Sequence, residues 1–284
     1  MNILTTGANG QLGMSIRKNA PSYPGHRFTF TDFEELDITD FEKVKEFLSV
    51  NKFDVLINCA AYTAVDKAEE EKEKAQMLNV TAARDLARLT KMFNVFLIHI
   101  STDFIFDGKK KHAYTEEDQP NPLSVYGKTK ADGENTIIDN AGNAAIIRTS
   151  WLYSEYGDNF LKTIIRLASE RESLNIVDDQ TGTPTYATDL AKFILDVMPN
   201  MTQAKGVGTY HYSNEGETSW YGFAKAIVKI KGISCAIYPI PTREYPLPAT
   251  RPAFSVMSKE KIKSEFGVTI PTWENSLREC IAGL

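Results

Sequence analysis

The chain has 284 residues, of which 42% are hydrophobic, 11% aromatic and 24% charged, a balance typical of a folded globular protein rather than a disordered or fibrous one. There are 32 Lys and Arg against 37 Asp and Glu, a net charge of −5. Because no extended basic stripe offsets this balance, we do not expect nucleic-acid binding. The longest apolar stretches, such as Val95–Ile100, have the length of a strand, so no membrane span is predicted.

The cysteines and the N-terminus indicate a reducing compartment. Cys59, Cys235 and Cys280 are odd in number, widely spaced and without a CxxC pattern, which favours neither a disulfide framework nor a zinc site. The chain opens directly on a predicted strand, without a signal-peptide pattern. We therefore expect a cytoplasmic protein with no metal site.

Short apolar runs alternate with segments of helical length along the first half of the chain. The runs are predicted strands 3–6, 27–31, 54–59, 95–100 and 144–148. They are continuously apolar rather than alternating, which is typical of parallel strands buried on both faces. The alternation predicts an α/β fold in which residues 1–150 form a Rossmann-type doubly wound parallel sheet that binds NAD(P).

A glycine-rich loop follows the first predicted strand. Glycines at positions 7, 10 and 13 would let the backbone turn tightly and approach a pyrophosphate, and the helix behind them offers free N–H groups to that anion. Asp32 ends the second strand, where its carboxylate can accept hydrogen bonds from an adenosine ribose. The spacing of Gly7, Gly10 and Gly13 alone would also suit a simple tight turn, but this context predicts a dinucleotide site.

Hydroxyl and phenol groups are predicted to meet at the same edge of the sheet. The fourth strand ends in Ser101-Thr102-Asp103, and Tyr126 and Lys130 lie four residues apart at the start of a predicted helix. An ammonium beside a phenol favours the phenolate, so we expect Lys130 to lower the pKa of Tyr126 toward neutrality and make it a general acid or base. The alternative is that Ser101 and Thr102 merely satisfy strand-end hydrogen bonds.

The pattern loosens after about residue 150. Prolines at positions 239, 241, 246, 248 and 252 break the chain into irregular loops between predicted helices. This favours a smaller, mixed α/β C-terminal domain, mainly for substrate binding, over residues 151–284, with the chain returning to the first domain at about 175–215. Such a domain would lie at the open end of the sheet, where ligands of α/β folds bind. Long surface connections are the alternative.

The glycine loop and the Tyr-x-x-x-Lys pair resemble those of the extended short-chain dehydrogenases/reductases. Further segments are similar, in order and spacing and over essentially the whole chain, to the dTDP-4-dehydrorhamnose reductase family within that superfamily. These segments are 58–69, 101–106, 148–153, Asn159-Phe160, 179–185 and Arg251-Pro252. The Arg-Thr-Ser-Trp run at 148–151 and the Asp-Gln-x-Gly-x-Pro-Thr run at 179–185 are specific to this branch.

The resemblance implies a reduction of dTDP-4-dehydro-6-deoxy-L-mannose to dTDP-L-rhamnose by NADH or NADPH, the last step in making activated rhamnose for bacterial polysaccharide. It implies that Tyr126 donates a proton to the 4-keto oxygen, that Lys130 lowers the pKa of Tyr126 and holds the nicotinamide ribose, and that Thr102 hydrogen-bonds the carbonyl.

The same resemblance assigns further contacts. Asp103, Asn159 and Trp151 would contact the sugar, and the flat apolar face of Trp151 suits the C–H face of a deoxysugar. The residues implied around the dinucleotide, besides Tyr126 and Lys130, are Gly7, Gly10, Gln11, Leu12, Gly13, Asp32, Asp37, Ile38, Ala60, Ala61, Tyr62 and Thr63.

The residues around Asp32 also bear on the choice of cofactor. No Arg or Lys occurs in Thr31–Glu35, so a 2′-phosphate would meet the carboxylate of Asp32 without a nearby cation. Arg17 and Lys18, on the helix after the glycine loop, could reduce the repulsion between this carboxylate and the phosphate. We predict that NADH is used at least as well as NADPH.

Some positions depart from the family pattern. Phe104 replaces a tyrosine that is common after the Thr-Asp pair, which removes a hydroxyl contact. Ser15 and Thr188 stand where part of the family has glutamates that bridge a dimer through metal. We therefore do not predict a metal-bridged dimer; a role for Mg²⁺ and the choice between monomer and homodimer stay open. The run Glu69-Glu70-Glu71 is interpreted as a solvated helix face.

Two other functions remain as alternatives. One is a sugar-nucleotide epimerase or dehydratase of the same superfamily, although such chains are usually longer and lack the Arg-Thr-Ser-Trp run. The other is a non-catalytic, dinucleotide-binding regulatory subunit, against which the intact Thr102, Tyr126 and Lys130 argue.

Overall fold

A computed structural model describes all 284 residues. Its strands are β1 (Asn2–Thr6), β2 (Arg27–Thr31), β3 (Val55–Asn58), β4 (Phe96–Thr102), β5 (Asn143–Thr149), β6 (Leu152–Tyr153), β7 (Ser173–Val177), β8 (Thr181–Gly182), β9 (Thr185–Tyr186), β10 (Gly206–His211), β11 (Thr218–Ser219) and β12 (Ala236–Ile240). Its helices are α1 (Gln11–Asn19), α2 (Phe41–Val50), α3 (Lys72–Gln76), α4 (Ala82–Phe93), α5 (Val125–Asn140), α6 (Phe160–Glu170), α7 (Ala187–Met201), α8 (Trp220–Lys231), α9 (Glu260–Phe266) and α10 (Trp273–Ala282).

Six parallel strands form the central sheet, in the order β10-β5-β4-β3-β1-β2. The five predicted strands all belong to it. The strand order reverses between β1 and β3, so the loops after these strands diverge and leave a crevice at the carboxyl edge of the sheet, where ligands of such folds bind. The predicted Rossmann-type α/β class is confirmed.

Helices cover both faces of this sheet because successive strand residues point to opposite sides. Ile3 packs into a core with residues of α1, α7 and α9, whereas the next residue, Leu4, packs into a second core with residues of α2, α4 and α5. Burial on both faces explains why the strands are continuously apolar in sequence.

The rest of the C-terminal half surrounds a third core, which gathers residues of α6, α8 and α10. Strand β7 pairs with β12 and not with the large sheet. Two elements of the C-terminal half belong to the central sheet or pack on it. β10 pairs with β5, and α7 packs on one face of the sheet, so the chain returns to the first domain over residues 187–211. The division into a cofactor domain and a substrate domain at residue 150 stays a prediction. None of the helices combines the length and the apolarity needed to cross a membrane.

Candidate active site

A cavity of about 790 Å³ opens at the carboxyl edge of the central sheet. Its wall is built from the segments that follow β1, β2, β3, β4 and β5, together with the start of α5. Most residues predicted for the site line it, namely Gly7, Gly10, Gln11, Leu12, Gly13, Asp32, Asp37, Ile38, Ala60, Ala61, Thr63, Thr102, Asp103, Tyr126, Lys130 and Trp151.

The glycine loop packs too closely for side chains. Gly7 has a φ of +65°, and a Cβ atom there would lie 2.5 Å from the backbone nitrogen of Ala60. A Cβ atom at Gly13 would lie 2.4 Å from the carbonyl oxygen of Gly7. Helix α1 begins directly behind the loop, with neither a side-chain cap nor an acidic residue in its first turn. Its first N–H groups therefore suit a bound pyrophosphate.

Asp32 holds the glycine loop as well as lining the cavity. Its carboxylate accepts hydrogen bonds from the backbone N–H of Asn9 and of Phe33, both at 2.8 Å. Arg17 and Lys18, the two cations that could reduce the repulsion between Asp32 and a 2′-phosphate, have other partners. The guanidinium of Arg17 lies over the ring of Phe30, and the ammonium of Lys18 is 3.5 Å from Glu155.

Two side chains fix the start of the helix that carries Tyr126 and Lys130. The hydroxyl of Ser124 accepts from the N–H of Gly127 at 3.1 Å, and Glu69 accepts from the N–H of Val125 at 2.9 Å. One carboxylate of the acidic run 69–71 is therefore committed to this helix, and the interpretation of the whole run as a solvated face is wrong.

Lys130 lines the cavity but is otherwise buried, with 2% of its surface exposed. Its ammonium donates to the carbonyl oxygen of Ile100 at 2.6 Å and lies 3.3 Å from Nε2 of His99. Burial lowers the pKa of Lys130 to about 8, although the carboxylate of Glu134 opposes the shift.

The expected lowering of the Tyr126 pKa by this lysine is not found. No hydrogen bond joins the two side chains, and burial raises the pKa of the Tyr126 phenol to about 12, with the nearby Asp103 carboxylate adding to the increase and the Thr102 hydroxyl opposing it. The predicted pKa near neutrality is therefore wrong, because burial disfavours the charged phenolate. The phenol is held protonated.

Three buried oxygens beside the tyrosine have no hydrogen-bond partner. They belong to the side chains of Ser101, Asp103 and Thr149, which line the cavity at the ends of β4 and β5. Buried polar atoms are rarely left unsatisfied unless a ligand completes them. Burial raises the pKa of Asp103 to about 6. These atoms fit a polar ligand such as a sugar.

Trp151 lines the cavity without offering the open face expected of it. Its backbone φ is +47°, and its ring stacks on that of Trp220 with centroids 3.6 Å apart. A Cβ atom at Gly182 would lie 2.6 Å from Cε2 of Trp151, so the indole is packed between Trp220 and Gly182. Sequence reasoning missed Trp220, whose only signal was a large aromatic residue at the start of a helix.

Two residues predicted to contact a ligand, Tyr62 and Asn159, are not part of this cavity wall. The phenol of Tyr62 donates to Glu71 at 2.8 Å instead of facing the cofactor space. Asn159 caps α6 by accepting from the N–H of Lys162, and its amide donates to Oε1 of Gln11 at 3.0 Å. Both side chains are hydrogen-bonded within the chain, and their contact with a ligand stays a prediction.

No group of three or more His, Cys, Asp or Glu side chains is arranged to hold a metal ion. Ser15 and Thr188 are both buried within the chain. His99 and His211 are buried in β4 and β10.

A second cavity of about 820 Å³ adjoins the first. It lies within the C-terminal half, between α6, β7 and the loop after β12, and Trp220 and Arg251 line both cavities. The guanidinium of Arg251 pairs with both carboxylate oxygens of Asp66, at 3.0 and 2.7 Å, and so ties the two halves of the chain together at the junction.

Comparisons with known proteins agree over the full length. The family model described as the RmlD substrate binding domain matches residues 1–284. A dTDP-4-dehydrorhamnose reductase of Aggregatibacter actinomycetemcomitans is 39% identical, over 97% of each chain. The crystal structure of a dTDP-4-dehydrorhamnose reductase from Clostridium acetobutylicum superposes with a TM-score of 0.95 at 41% identity, covering 99% of each chain. That of a dTDP-4-dehydrorhamnose reductase from Bacillus anthracis, in complex with NADP, gives a TM-score of 0.94 at 35% identity, over 100% of this chain and 99% of the other.

Proposed function

Because the chain belongs to the family described as the RmlD substrate binding domain, we propose that it reduces dTDP-4-dehydro-6-deoxy-L-mannose, also called dTDP-4-dehydrorhamnose, to dTDP-L-rhamnose. It is an NAD(P)H-dependent oxidoreductase of dTDP-rhamnose biosynthesis. The observation that carries the proposal is the meeting of the glycine loop, Thr102, Tyr126 and Lys130 around one cavity.

The chain offers a matching cradle for the cofactor. The start of α1 would hold the pyrophosphate, Asp32 the adenosine ribose, and Lys130 the nicotinamide ribose. When bound, the reduced nicotinamide supplies a hydride to the carbonyl carbon of the sugar.

The proton for this reduction would come from Tyr126. Addition of a hydride to the ketone leaves negative charge on the 4-oxygen, which must gain a proton to become the hydroxyl group. The Tyr126 phenol is protonated at neutral pH, and Thr102 would hold the carbonyl by a hydrogen bond. Loss of the proton leaves a phenolate, which the buried ammonium of Lys130 would stabilise.

The two cavities suit a long substrate. The reacting sugar must reach Tyr126 in the first cavity, beside Asp103 and the edge of Trp151. The nucleoside diphosphate would then extend past Trp220 and Arg251 into the second cavity. We place the reaction in the cytoplasm, since Cys59, Cys235 and Cys280 are all unpaired.

Cofactor consumption tests the proposal directly. The protein is incubated with NADH or NADPH and the 4-keto sugar nucleotide, and absorbance of the reduced nicotinamide is followed with product analysis. We expect one reduced cofactor to be consumed for each dTDP-rhamnose formed. An epimerase or dehydratase would convert sugar nucleotide without net loss of NADH, and a regulatory subunit would bind dinucleotide without turnover; either result overturns the assignment.

A further inference from the structure

Three polar side chains form a row across the central sheet, on an otherwise apolar face. Thr6, Asn58 and His99 are paired in register on β1, β3 and β4. Each follows by two positions a leucine of the second core, so all three point to the face that α2, α4 and α5 cover. None has more than 2% of its surface exposed, and none lines either cavity. Any effect of this row on the reaction must therefore pass through a neighbour.

The hydrogen bonds of Asn58 determine which way its amide points. Its Oδ1 accepts from the backbone N–H of Ala60 at 3.2 Å and from the hydroxyl of Thr6 at 2.7 Å. Because a backbone N–H can only donate, this end of the amide must be the oxygen. The amide nitrogen, Nδ2, therefore lies on the other side, 3.1 Å from Nδ1 of His99.

This contact determines the tautomer of His99. The amide nitrogen can only donate, so Nδ1 must be the ring nitrogen that carries no proton. Burial lowers the pKa of His99 well below its usual value of 6.5, so the ring is neutral and its one proton is on Nε2. Nε2 lies 3.3 Å from Nζ of Lys130. The imidazole thus presents an N–H group, and not a lone pair, to the lysine.

Lys130 is left with a single acceptor in the chain. Its Nζ donates to the carbonyl oxygen of Ile100 at 2.6 Å. The carboxylate of Glu134, on the same helix, accepts from Nε and Nη2 of Arg148 at 3.0 and 2.7 Å and does not accept from the lysine. An ammonium has three N–H groups, so two of them remain for groups that enter the cavity.

We propose that His99 is a positioning residue for Lys130. Held by Asn58 with its proton on Nε2, His99 denies the lysine a second acceptor and so leaves two N–H groups for the nicotinamide ribose and the phenolate of Tyr126. The inference rests on the proposed function. The contact between two donors also destabilises the ammonium, in the same direction as the burial that lowers the pKa of Lys130 to about 8.

The tautomer of His99 can be measured directly on the unmutated protein. The nitrogen-15 resonances of an imidazole show which ring nitrogen carries the proton. The chain has four histidines, and the signals lost in His99→Gln identify those of His99. We expect the proton on Nε2 at neutral pH. This measurement needs neither substrate nor turnover, and a proton on Nδ1 would overturn the proposal.

His99→Phe keeps a ring but removes the N–H group. We expect the alkaline decline of kcat/KM to move to higher pH by about half a unit to one unit, because a donor no longer faces the ammonium, while kcat stays within about threefold. The other titratable groups around this lysine are unchanged, namely Glu134, Tyr126 and Asp103. If His99 were instead an acceptor for Lys130, its loss would move the decline to lower pH. A shift in that direction, or none, would contradict the proposal.

Asn58→Asp reverses the direction of the hydrogen bonds. A carboxylate oxygen in place of Nδ2 accepts from Nδ1–H, which moves the lone pair of His99 to Nε2 and gives Lys130 a second acceptor. We expect kcat to fall about tenfold. Adding His99→Phe should largely restore kcat, because the phenyl ring has no lone pair. A loss that persists in the double variant would come from the added charge itself and would count against the proposal.

Thr6→Val serves as the matched control. It removes one hydrogen bond from the same buried row, to Oδ1 of Asn58, without altering which end of the amide faces His99. It should lower Tm and leave the pH of the decline unchanged. Absence of turnover in the unmutated protein would overturn the proposed reaction and this role with it. With normal turnover, a proton on Nδ1 of His99, or a decline that shifts equally in Thr6→Val and His99→Phe, would overturn only the role of His99.

Discussion

Burial keeps the phenol of Tyr126 protonated, which suits a group that must give up a proton. We expect Tyr126→Phe to lower kcat on the order of 10²–10⁴-fold, the usual contribution of a positioned general acid. Affinity for NADH should be unchanged, because the ring still packs edge-on against Phe104 at 5.5 Å. Steady-state kinetics and NADH titration measure the two effects, and near-normal turnover would remove Tyr126 from the reaction.

Lys130 should set the alkaline limit of activity. Its pKa is lowered to about 8, so its positive charge is lost as the pH rises through that value. We expect kcat/KM to fall about tenfold per pH unit above pH 8, well below the pKa of Tyr126, which is about 12. In Lys130→Arg the guanidinium stays charged, so the decline near pH 8 should disappear. Its persistence in that variant would assign the decline to another group.

The charged carboxylate of Asp103 should lower the free energy of unfolding at neutral pH. Burial raises its pKa to about 6 in the folded protein, against a usual value of 3.8, so the free energy of unfolding falls as the pH rises from 3.8 to 6. Asp103→Asn should raise Tm by a few degrees at pH 8 and by less at pH 4, where the carboxyl is already protonated when folded. Thermal melts of the control Glu117→Gln, which removes the charge of an exposed carboxylate in a turn, should show no such gain. An equal gain at both pH values would contradict this cause.

At the scale of single elements, the contact between the glycine loop and α1 depends on the missing side chains. Gly13→Ala would bring a methyl group to 2.4 Å from the carbonyl oxygen of Gly7, which must push the helix away from the loop. We expect its Kd for NADH to rise by at least about tenfold, since the backbone donors no longer converge on the pyrophosphate. The control is Gly25→Ala, where the new methyl group meets nothing within 4 Å. Titration of nicotinamide fluorescence distinguishes them, and equal affinities would refute the role of the close approach.

The sequence predicted those strands whose formation depends on the pattern of residues within the strand itself. β2 lies at the predicted bounds, 27–31, because Phe28 and Phe30 recur with the two-residue period of a strand. The inner strands β1, β3, β4 and β5 were predicted instead from their continuously apolar runs. The pairing of β10 with β5 depends instead on the chain coming back to the central sheet from the C-terminal half. The sequence of residues 206–211 does not indicate which sheet this strand joins.

The site residues likewise divide into those that the local sequence predicts and those that depend on distant contacts. Gly7, Asp32, Tyr126 and Lys130 could be placed from their positions at strand and helix ends. The covering of Trp151 by Trp220 joins residues 69 positions apart in sequence and could not be inferred from either segment. The high pKa of Tyr126 also escaped prediction, because the degree of burial is a property of the assembled site rather than of the Tyr-x-x-x-Lys spacing.

At the scale of the whole molecule, the stacked pair Trp151 and Trp220 lies where the two cavities meet, since both rings line the first cavity and Trp220 also lines the second. We expect Trp151→Ala and Trp220→Ala each to raise the KM for the sugar nucleotide about tenfold or more, while the Kd for NADH stays within about twofold. Trp273→Phe, in the third core, serves as the control and should lower Tm without moving KM. A loss of NADH affinity in parallel with KM would mean that the pair is only part of the protein core.

The return of α7 and β10 to the central sheet also governs when the protein can fold during its synthesis. Leu190, Ile194 and Met198 of α7 pack in one core with Ile3 and Ile57 of the first strands. When the ribosome has released only the first 150 residues, α1 alone covers that face of the nascent sheet, and the sixth strand of the sheet does not yet exist. The sheet that supports the dinucleotide cradle is therefore completed only after about three quarters of the chain has emerged, and until then an apolar surface is open to chaperones or to aggregation.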